Sequence, residues 1–260
     1  MRKFILLSFL FLTGLAPVAK AQVDIHIKVD PLSSLKLRYG VRAGAQVTSM
    51  TTKPSDFSGP PSFYADFNPK NNFWNGQAGF VLDASFGWLS VQPAVVFSQK
   101  GYRINESWQR QLSGTVYDVK SFTRLRLNYL EVPVNLVVTV RGLQLFAGPY
   151  LGVALSGEYQ DHYAGPVRAS ESRPIYAFDD WSYKQKLRIG KSSSPYYNDA
   201  FRRLDAGYNV GIGYKLGPWQ AQLSHMHGVK NTYPSPSIGY NPQVKNRGYQ
   251  LNATYFFGQP

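Results

Sequence analysis

Apolar and polar residues alternate strictly along much of the chain. Between positions 37 and 49, Leu37, Tyr39 and Val41 occupy alternate positions, with Arg38 and Arg42 between them. A period of two places successive side chains on opposite faces of a β-strand, so one face is apolar and the other polar. The pattern recurs and predicts eight strands, at 37–49, 74–86, 89–97, 124–140, 143–156, 204–214, 219–228 and 247–257.

The fourth predicted strand contains a change of phase. Its first half has Leu125, Leu127 and Tyr129 at odd positions, but from Leu130 onward the apolar residues occupy even positions. One inserted residue would produce this change, so we predict a β-bulge near Tyr129.

The connections between these strands alternate between tight and long. An even-stranded barrel with both termini in the periplasm has short periplasmic turns and long extracellular loops. The sequence therefore predicts an all-β fold, an eight-stranded antiparallel up-and-down transmembrane β-barrel over residues 37–258. Tight turns are predicted near Gly87, at Arg141-Gly142 and at Lys215-Leu216-Gly217, and long connections at 50–73, 104–121, 157–201 and 229–246.

Composition supports a membrane barrel. Aromatic residues make up 15% of the chain, which has 18 Tyr and 16 Phe, and the absence of cysteine excludes disulfides and thiolate metal sites. Several aromatics on the apolar faces lie toward predicted strand ends, where they would form the girdles typical of membrane barrels. They are Trp88, Tyr150, Tyr208, Tyr214, Trp219, Tyr249, Tyr255 and Phe257.

The alternative architecture is a soluble eight-stranded barrel of the lipocalin type, whose apolar residues point inward around a ligand. Two features favour the membrane barrel. The polar faces carry glycines and amides, as at Gly207, Asn209 and Gly211, rather than the Lys and Glu of a solvated exterior. The long connections also lie at one end of the predicted barrel.

The N-terminus has the three regions of a secretory signal peptide. Arg2 and Lys3 precede an apolar run at 4–15, and Ala19-Lys20-Ala21 provides a small-x-small cleavage motif. A membrane anchor is the alternative, but this run is shorter than the roughly 20 residues that a spanning helix needs. We expect 1–21 to be a cleaved signal peptide, 22–36 a short periplasmic segment, and the barrel to lie in the bacterial outer membrane.

Two motifs resemble a known family. They are LNYLEVPVNL at 127–136 and FAGPYLG at 146–152, and both are similar to segments of the PorT-like outer-membrane β-barrel family, common in Bacteroidota. The resemblance covers about 37–258. It implies an outer-membrane barrel. The namesake of the family is tied to protein secretion across that membrane, a role that the resemblance does not transfer.

Charged residues are also predicted to face the barrel interior. Buried charges need partners, and Arg38 or Arg42 could meet Asp83 across the first hairpin. Because side chains fill an eight-stranded barrel, we expect no open pore. The charges would form an ion-paired plug, the interpretation that we favour, or a gate in a narrow conduit. The predicted interior residues are Arg38, Arg42, Asp83, Lys100, Arg124, Arg126, Glu131 and Asp205.

Two histidines are the main candidates for chemistry. His225 and His227 share a strand face, where they could form part of a metal site or a lipid-facing catalytic centre. No Cys, Asp or Glu lies nearby in sequence to complete a metal site, and Ser224 points the opposite way. We interpret both as interfacial polar residues. The sequence has no nucleophile elbow, phosphate loop or zinc motif, so we predict no catalytic, cofactor-binding or metal-binding residue and no enzyme.

The charge of the chain indicates a lipid partner. The formal charge is +13, and +10 remains when Arg2, Lys3 and Lys20 leave with the signal peptide. We expect no nucleic-acid partner for an exported protein. A solvated surface loop is the default interpretation of the third long connection, and the alternative is that its cations bind phosphates of outer-membrane lipid, including lipopolysaccharide. Its many aromatics indicate that it is partly ordered and makes contacts. Its cations are Arg168, Arg173, Lys184, Lys186, Arg188 and Lys191.

Protein partners are expected at both ends of the barrel. The C-terminal Tyr255-Phe256-Phe257 resembles the aromatic signal by which the barrel-assembly machinery recognises its clients. Other proteins could bind the extracellular loops. The sequence is compatible with a non-enzymatic structural, adhesive or secretion-accessory role, and the alternative is a small-solute transporter or gated conduit. Lipid modification is a third, minor hypothesis.

Overall fold

The computed structural model describes residues 35–51, 73–112, 115–168, 176–190, 200–232 and 243–257. The expected signal peptide, at 1–21, lies outside the described residues, as does most of the expected periplasmic segment. No helix among the described residues has the length and hydropathy needed to cross a membrane. These residues form the strands β1 (Leu35–Thr51), β2 (Phe73–Phe86), β3 (Leu89–Leu112), β4 (Thr115–Val140), β5 (Leu143–Arg168), β6 (Tyr176–Ile189), β7 (Ala200–Phe201), β8 (Leu204–Leu216), β9 (Trp219–Gly228) and β10 (Lys245–Phe257).

Eight of these strands close into an antiparallel ring in the order β1, β2, β3, β4, β5, β8, β9, β10, with β10 returning to β1. The predicted eight-stranded barrel is therefore confirmed. Strands β6 and β7 lie outside the ring. Strand β6 pairs with β5 from Gly157 to Arg168, beyond the stretch of β5 that pairs with β8, and β7 pairs with the end of β6.

The register keeps the two faces of neighbouring strands in phase. Val41 on β1 lies opposite Phe80 on β2 and Tyr255 on β10, so outward-facing apolar residues are aligned across three strands. Arg38 lies opposite Asp83 on the inward face. A slip of one residue would exchange the two faces, so the alternation excludes any register shifted by an odd number of residues.

The apolar face of the ring points outward and the polar face points inward. Phe80 is 72% exposed and Leu151 67%, whereas Asp83 and Gln92 are each 1% exposed. This is the reverse of a soluble ligand-binding barrel, and it is the arrangement of a barrel surrounded by lipid. The lipocalin-type alternative is therefore excluded.

The predicted tight turns are confirmed, although the third comprises Gly217 and Pro218, because Lys215 and Leu216 belong to β8. The conformation of the turns explains their sequence. Gly87 and Gly217 have φ angles of 64° and 56°, and the turn between β4 and β5 has Arg141 at 51° and Gly142 at 87°. Positive φ is the conformation of two-residue hairpin turns that match the twist of the strands, and glycine adopts it with little strain.

Two of the predicted long connections contain strands. Residues 104–121, predicted to be a long connection, continue β3 and β4 up to the pair Leu112 and Thr115, so that prediction was wrong. In the third connection, β6 pairs with β5 from Gly157 to Arg168, which confirms that this segment is partly ordered and makes contacts. We refer to 101–112, 115–128, 156–168 and 176–189 together as the extracellular sheet.

The predicted bulge lies at the expected level, but its extra residue is on the neighbouring strand. Asn128 pairs with Ser156 and Tyr129 with Ala154, so Leu155 on β5 has no opposite residue in β4. Strand β4 itself keeps its phase through this level.

The apparent phase change in β4 has a different cause from the one predicted. Leu125, Leu127 and Tyr129 are buried inside the barrel. Arg124 and Arg126, which alternate with them along β4, lie on the outer face. The prediction that these two arginines face the lumen was therefore wrong. Below this level the outer face meets lipid, but above it that face meets water, so polar residues move outside and apolar residues close the interior.

Candidate functional site

The lower part of the lumen contains the predicted ion pair. Arg38 Nη2 contacts Asp83 Oδ2, with both side chains buried. Asp83 Oδ1 also accepts a hydrogen bond of 3.2 Å from Gln92 Nε2, and Gln92 and Gln220 bond each other at 3.1 Å. This network joins four strands across the lumen and satisfies the buried carboxylate.

Arg42 does not contact Asp83. Its Nη2 donates to Gln222 Oε1 at 2.8 Å and its Nε donates to Thr254 Oγ1 at 3.3 Å. Of the two predicted partners of Asp83, the structure selects Arg38, which is directly opposite Asp83 in the register.

A buried ionic cluster lies above this network. Lys100 Nζ contacts Glu131 Oε1 and lies 3.0 Å from Asp205 Oδ2. The same nitrogen lies 4.1 Å from the ring centroid of Tyr150 and 5.3 Å from that of Tyr129. Two opposite charges and two aromatic faces thus surround one cation from several directions. We call Lys100, Glu131 and Asp205 the luminal triad.

Tyr150 corrects one of the girdle predictions. It is 2% exposed and its hydroxyl donates to Asp205 Oδ2 at 3.3 Å, so it belongs to the lumen rather than to a lipid-facing girdle. Tyr214, Trp219 and Tyr249 do lie on the outside, at 48%, 57% and 60% exposure. The outward-facing residues of β5 at this level occupy odd positions, as Leu151 does, so the even position of Tyr150 already indicated the inner face.

An apolar cluster closes the extracellular end of the lumen. Sequence reasoning missed this cluster, although the apolar residues at odd positions in the first half of β4 were its signal. Together with the luminal triad it brings buried side chains from β1, β3, β4, β5 and β8 into the interior, as expected for a barrel of eight strands. The cluster consists of Met50, Leu125, Leu127, Tyr129, Ala154, Phe201 and Val244.

A small polar cavity remains inside the lumen, beside Arg42 and Glu131, with room for about one water molecule. Asn135 Oδ1, Asn209 Oδ1 and Gln222 Nε2 have no hydrogen-bond partner in the structure. An internal water suits such a site, since it can satisfy several buried polar atoms together.

The two candidate histidines lie on the outer surface of β9. Their ring centroids are 6.3 Å apart, His225 lies 4.9 Å from Tyr249, and His227 lies 5.4 Å from Tyr208. Within the part of the chain that the structure describes, no set of three or more His, Cys, Asp or Glu residues could hold a metal ion. The surroundings of both histidines are those of an aromatic girdle.

A basic cluster lies on the outer face of the extracellular sheet. Glu158 Oε1 lies 3.3 Å from Arg126 Nη2 and 3.7 Å from Arg124 Nη2, and Glu158 Oε2 lies 3.0 Å from Lys184 Nζ. Partial burial alone would raise the pKa of Glu158, but the hydrogen bond from Lys184 and the positive charges of Arg126, Lys184 and Arg124 outweigh it. The pKa of Glu158 therefore lies below its ordinary value, and the group stays ionised.

Some predicted third-loop cations share this face. Lys184 and Lys186 lie on β6 beside Glu158. Arg173 and Lys191 lie outside the described residues.

Comparison with known proteins identifies the family. A family model described as "Outer membrane protein beta-barrel domain" matches residues 21–252. Among curated proteins no relative matches the chain.

Three solved structures resemble the chain at low identity. The attachment invasion locus protein Ail of Yersinia pestis, in complex with the heparin analogue sucrose octasulfate, is 12% identical, with TM-score 0.35, covering 85% of this chain and 99% of Ail. Neisserial surface protein A is 10% identical, with TM-score 0.36 and coverages of 84% and 97%. The outer membrane channel DcaP of Acinetobacter baumannii is 10% identical, with TM-score 0.23 and coverages of 86% and 97%. The assignment rests on the family model, which spans most of the chain: the protein belongs to the outer membrane protein β-barrel domain family.

Proposed function

We propose that this protein is a closed, non-enzymatic barrel that presents the extracellular sheet to a protein partner, in an adhesive, structural or secretion-accessory role. The observation that carries the proposal is the combination of a filled lumen with an ordered sheet above the membrane. A membrane-spanning strand needs about 9–11 residues, but β3 has 24 and β4 and β5 have 26 each. About half of each of these strands is therefore available outside the lipid.

The inner face of the extracellular sheet supports a role in binding. Trp181 lies opposite Tyr163, and their rings stack with centroids 6.2 Å apart. By the register of the strands, Trp108 and Tyr183 lie on the same face. Trp108 and Trp181 are each 43% exposed and Tyr183 is 49% exposed. Exposed tryptophan and tyrosine are the residues most enriched where proteins bind each other.

A site-specific photocrosslinking experiment tests this role in cells. A photoreactive phenylalanine analogue at position 108 or 181 should give a discrete crosslinked species. The same analogue at position 116 is the matched control, because Val116 is 54% exposed on the opposite face of the sheet. Equal crosslinking at all three positions, or none at 108 and 181, would contradict the proposal.

The second candidate is a small-solute conduit, which the polar lumen and its internal cavity favour. This function predicts conductance in reconstituted bilayers that changes in Asp83→Asn or Arg42→Gln. A silent bilayer supports the closed barrel instead. Conductance would contradict the closed lumen, whereas partner binding by the extracellular sheet is tested separately by the crosslinking experiment.

Three expectations from the sequence accompany this proposal. We propose that the chain is of the PorT-like subtype, that 1–21 is removed as a signal peptide, and that the barrel-assembly machinery recognises the C-terminal strand. Mass spectrometry of the mature protein tests the second of these, since cleavage after Ala21 leaves Gln22 as the first residue.

A further inference from the structure

A notch interrupts the outer surface where β5 exchanges one neighbour for another. Up to Val153, β5 pairs with β8, and from Gly157 it pairs with β6. The bulge at Leu155 lies between these two stretches. The resulting notch has a volume of about 700 Å³, which is within the usual range for ligand-binding pockets.

The notch has apolar side chains toward the membrane and three cations among its other lining residues, which also include Leu187 and Ile189. Val153 and Leu155 line its lower part and are 39% and 54% exposed, so they continue the lipid-facing surface of β5. Arg126, Lys186 and Arg203 line it as well, on β4, on β6 and just before β8. Three separate segments thus bring cations to the level where the outer face changes from apolar to polar.

The cations of the notch have capacity for a further anion. Glu158 is the carboxylate among the lining residues, and it contacts Arg126 and Lys184. Lys186 and Arg203 make no ion pair with any described residue. Arg126 Nε is buried without a hydrogen-bond acceptor in the structure. A buried donor of this kind needs a partner, which an ordered water molecule or an anion can supply.

We propose that this notch binds the phosphorylated headgroup of an outer-leaflet lipid. Lys186, Arg203 and Arg126 bind the phosphate oxygens, and the acyl chains lie against Val153 and Leu155. A free anion would need only the cations. The continuity of the apolar side chains with the lipid-facing surface selects a lipid as the occupant. The site requires the barrel to lie in the outer membrane, and it is independent of the partner-binding role proposed above.

The test uses the full-length barrel purified in detergent and native mass spectrometry of bound lipid. The probes are bisphosphorylated lipid A, the same lipid with both phosphates removed, and inorganic phosphate as a competitor. The test variant is Lys186→Gln with Arg203→Gln. The matched control is Lys36→Gln with Arg141→Gln, which removes two cations at the periplasmic end. Migration on a gel before and after boiling verifies that every variant is folded.

Wild type and control should retain the phosphorylated lipid, and the test variant should bind it roughly tenfold or more weakly, because it lacks two of the three cations that bind the phosphate. The dephosphorylated lipid should bind weakly to all three proteins. Equal retention by the test variant would overturn the proposal, and so would equal binding of the dephosphorylated lipid by wild type. Displacement by inorganic phosphate at a concentration similar to that of the lipid would identify a site for free anions and also overturn it.

Discussion

Lys100 and Asp205 lie 105 positions apart in the sequence and meet inside the lumen, with Nζ 3.0 Å from Oδ2. Asn246 Nδ2 donates to the same carboxylate oxygen at 2.9 Å, so β3, β8 and β10 are joined at one point. Such a contact links strands from opposite parts of the ring and exists only when the ring is closed.

The first prediction concerns this luminal triad. Lys100→Met should lower the free energy of unfolding by about 3–5 kcal/mol, because Glu131 and Asp205 would remain buried without their cation. The combined variant Lys100→Met, Glu131→Gln, Asp205→Asn should recover much of the loss, since no uncompensated charge remains. Urea unfolding in lipid vesicles, followed by tryptophan fluorescence, measures both. A triple variant no more stable than the single one would count against electrostatic coupling.

The second prediction tests the lipid-facing surface. Phe80→Arg places a charge in the middle of β2, on a side chain that is 72% exposed. The free energy of unfolding should fall by about 2–4 kcal/mol, the cost of arginine near the bilayer midplane. Val116→Arg, at a comparably exposed position on the extracellular sheet, should change it little. Equal effects in both variants would mean that one of the two sites is assigned to the wrong environment.

The third prediction concerns the turn between β4 and β5. Arg141 has a φ of 51°, a left-handed conformation that strains most side chains. Asparagine adopts this conformation more readily and is the preferred residue before glycine in such hairpin turns. Arg141→Asn should therefore raise the free energy of unfolding by roughly 1 kcal/mol. Equilibrium unfolding measures the change, and a decrease would show that the Arg141 side chain stabilises the turn.

The fourth prediction concerns the pH dependence of the β5 and β6 hairpin. The lowered pKa of Glu158 means that its contacts stabilise the hairpin fully above the ordinary carboxylate range and are lost as pH falls through the lowered folded value. Hydrogen exchange at pH 7 should be faster in Glu158→Gln than in wild type. The difference should shrink in acid, where both side chains are neutral. A difference independent of pH would assign the effect to packing instead of charge.

The strand positions could be predicted because a fixed backbone period underlies them. Alternate side chains lie on opposite faces of any strand, so the pattern from Leu37 to Ser49 identified both β1 and its lipid-facing side. The glycines at 87, 142 and 217 marked the turns for an equally local reason, since positive φ favours that residue.

The predictions about the upper part of the barrel failed where the surroundings change. The rule that apolar residues face outward holds only within lipid, and Leu125 and Leu127 lie above it. The extension of β3 and β4 through 104–121 was missed because strands in water on both faces have weaker alternation. The notch was also unpredictable, since Arg126, Lys186 and Arg203 come from three segments far apart in sequence.

The sequence by itself determined the number of strands in the ring, their inward and outward faces and the positions of the tight turns, because each depends on local backbone geometry and on the period of the side chains. The tertiary structure alone decided that Arg38 rather than Arg42 meets Asp83, and that the bulge's extra residue is Leu155. It also decided that Lys100 meets Asp205. Those outcomes depend on how the strands are staggered when β10 pairs with β1. A period of two specifies which face a residue occupies, but it does not specify which residue it meets across the lumen.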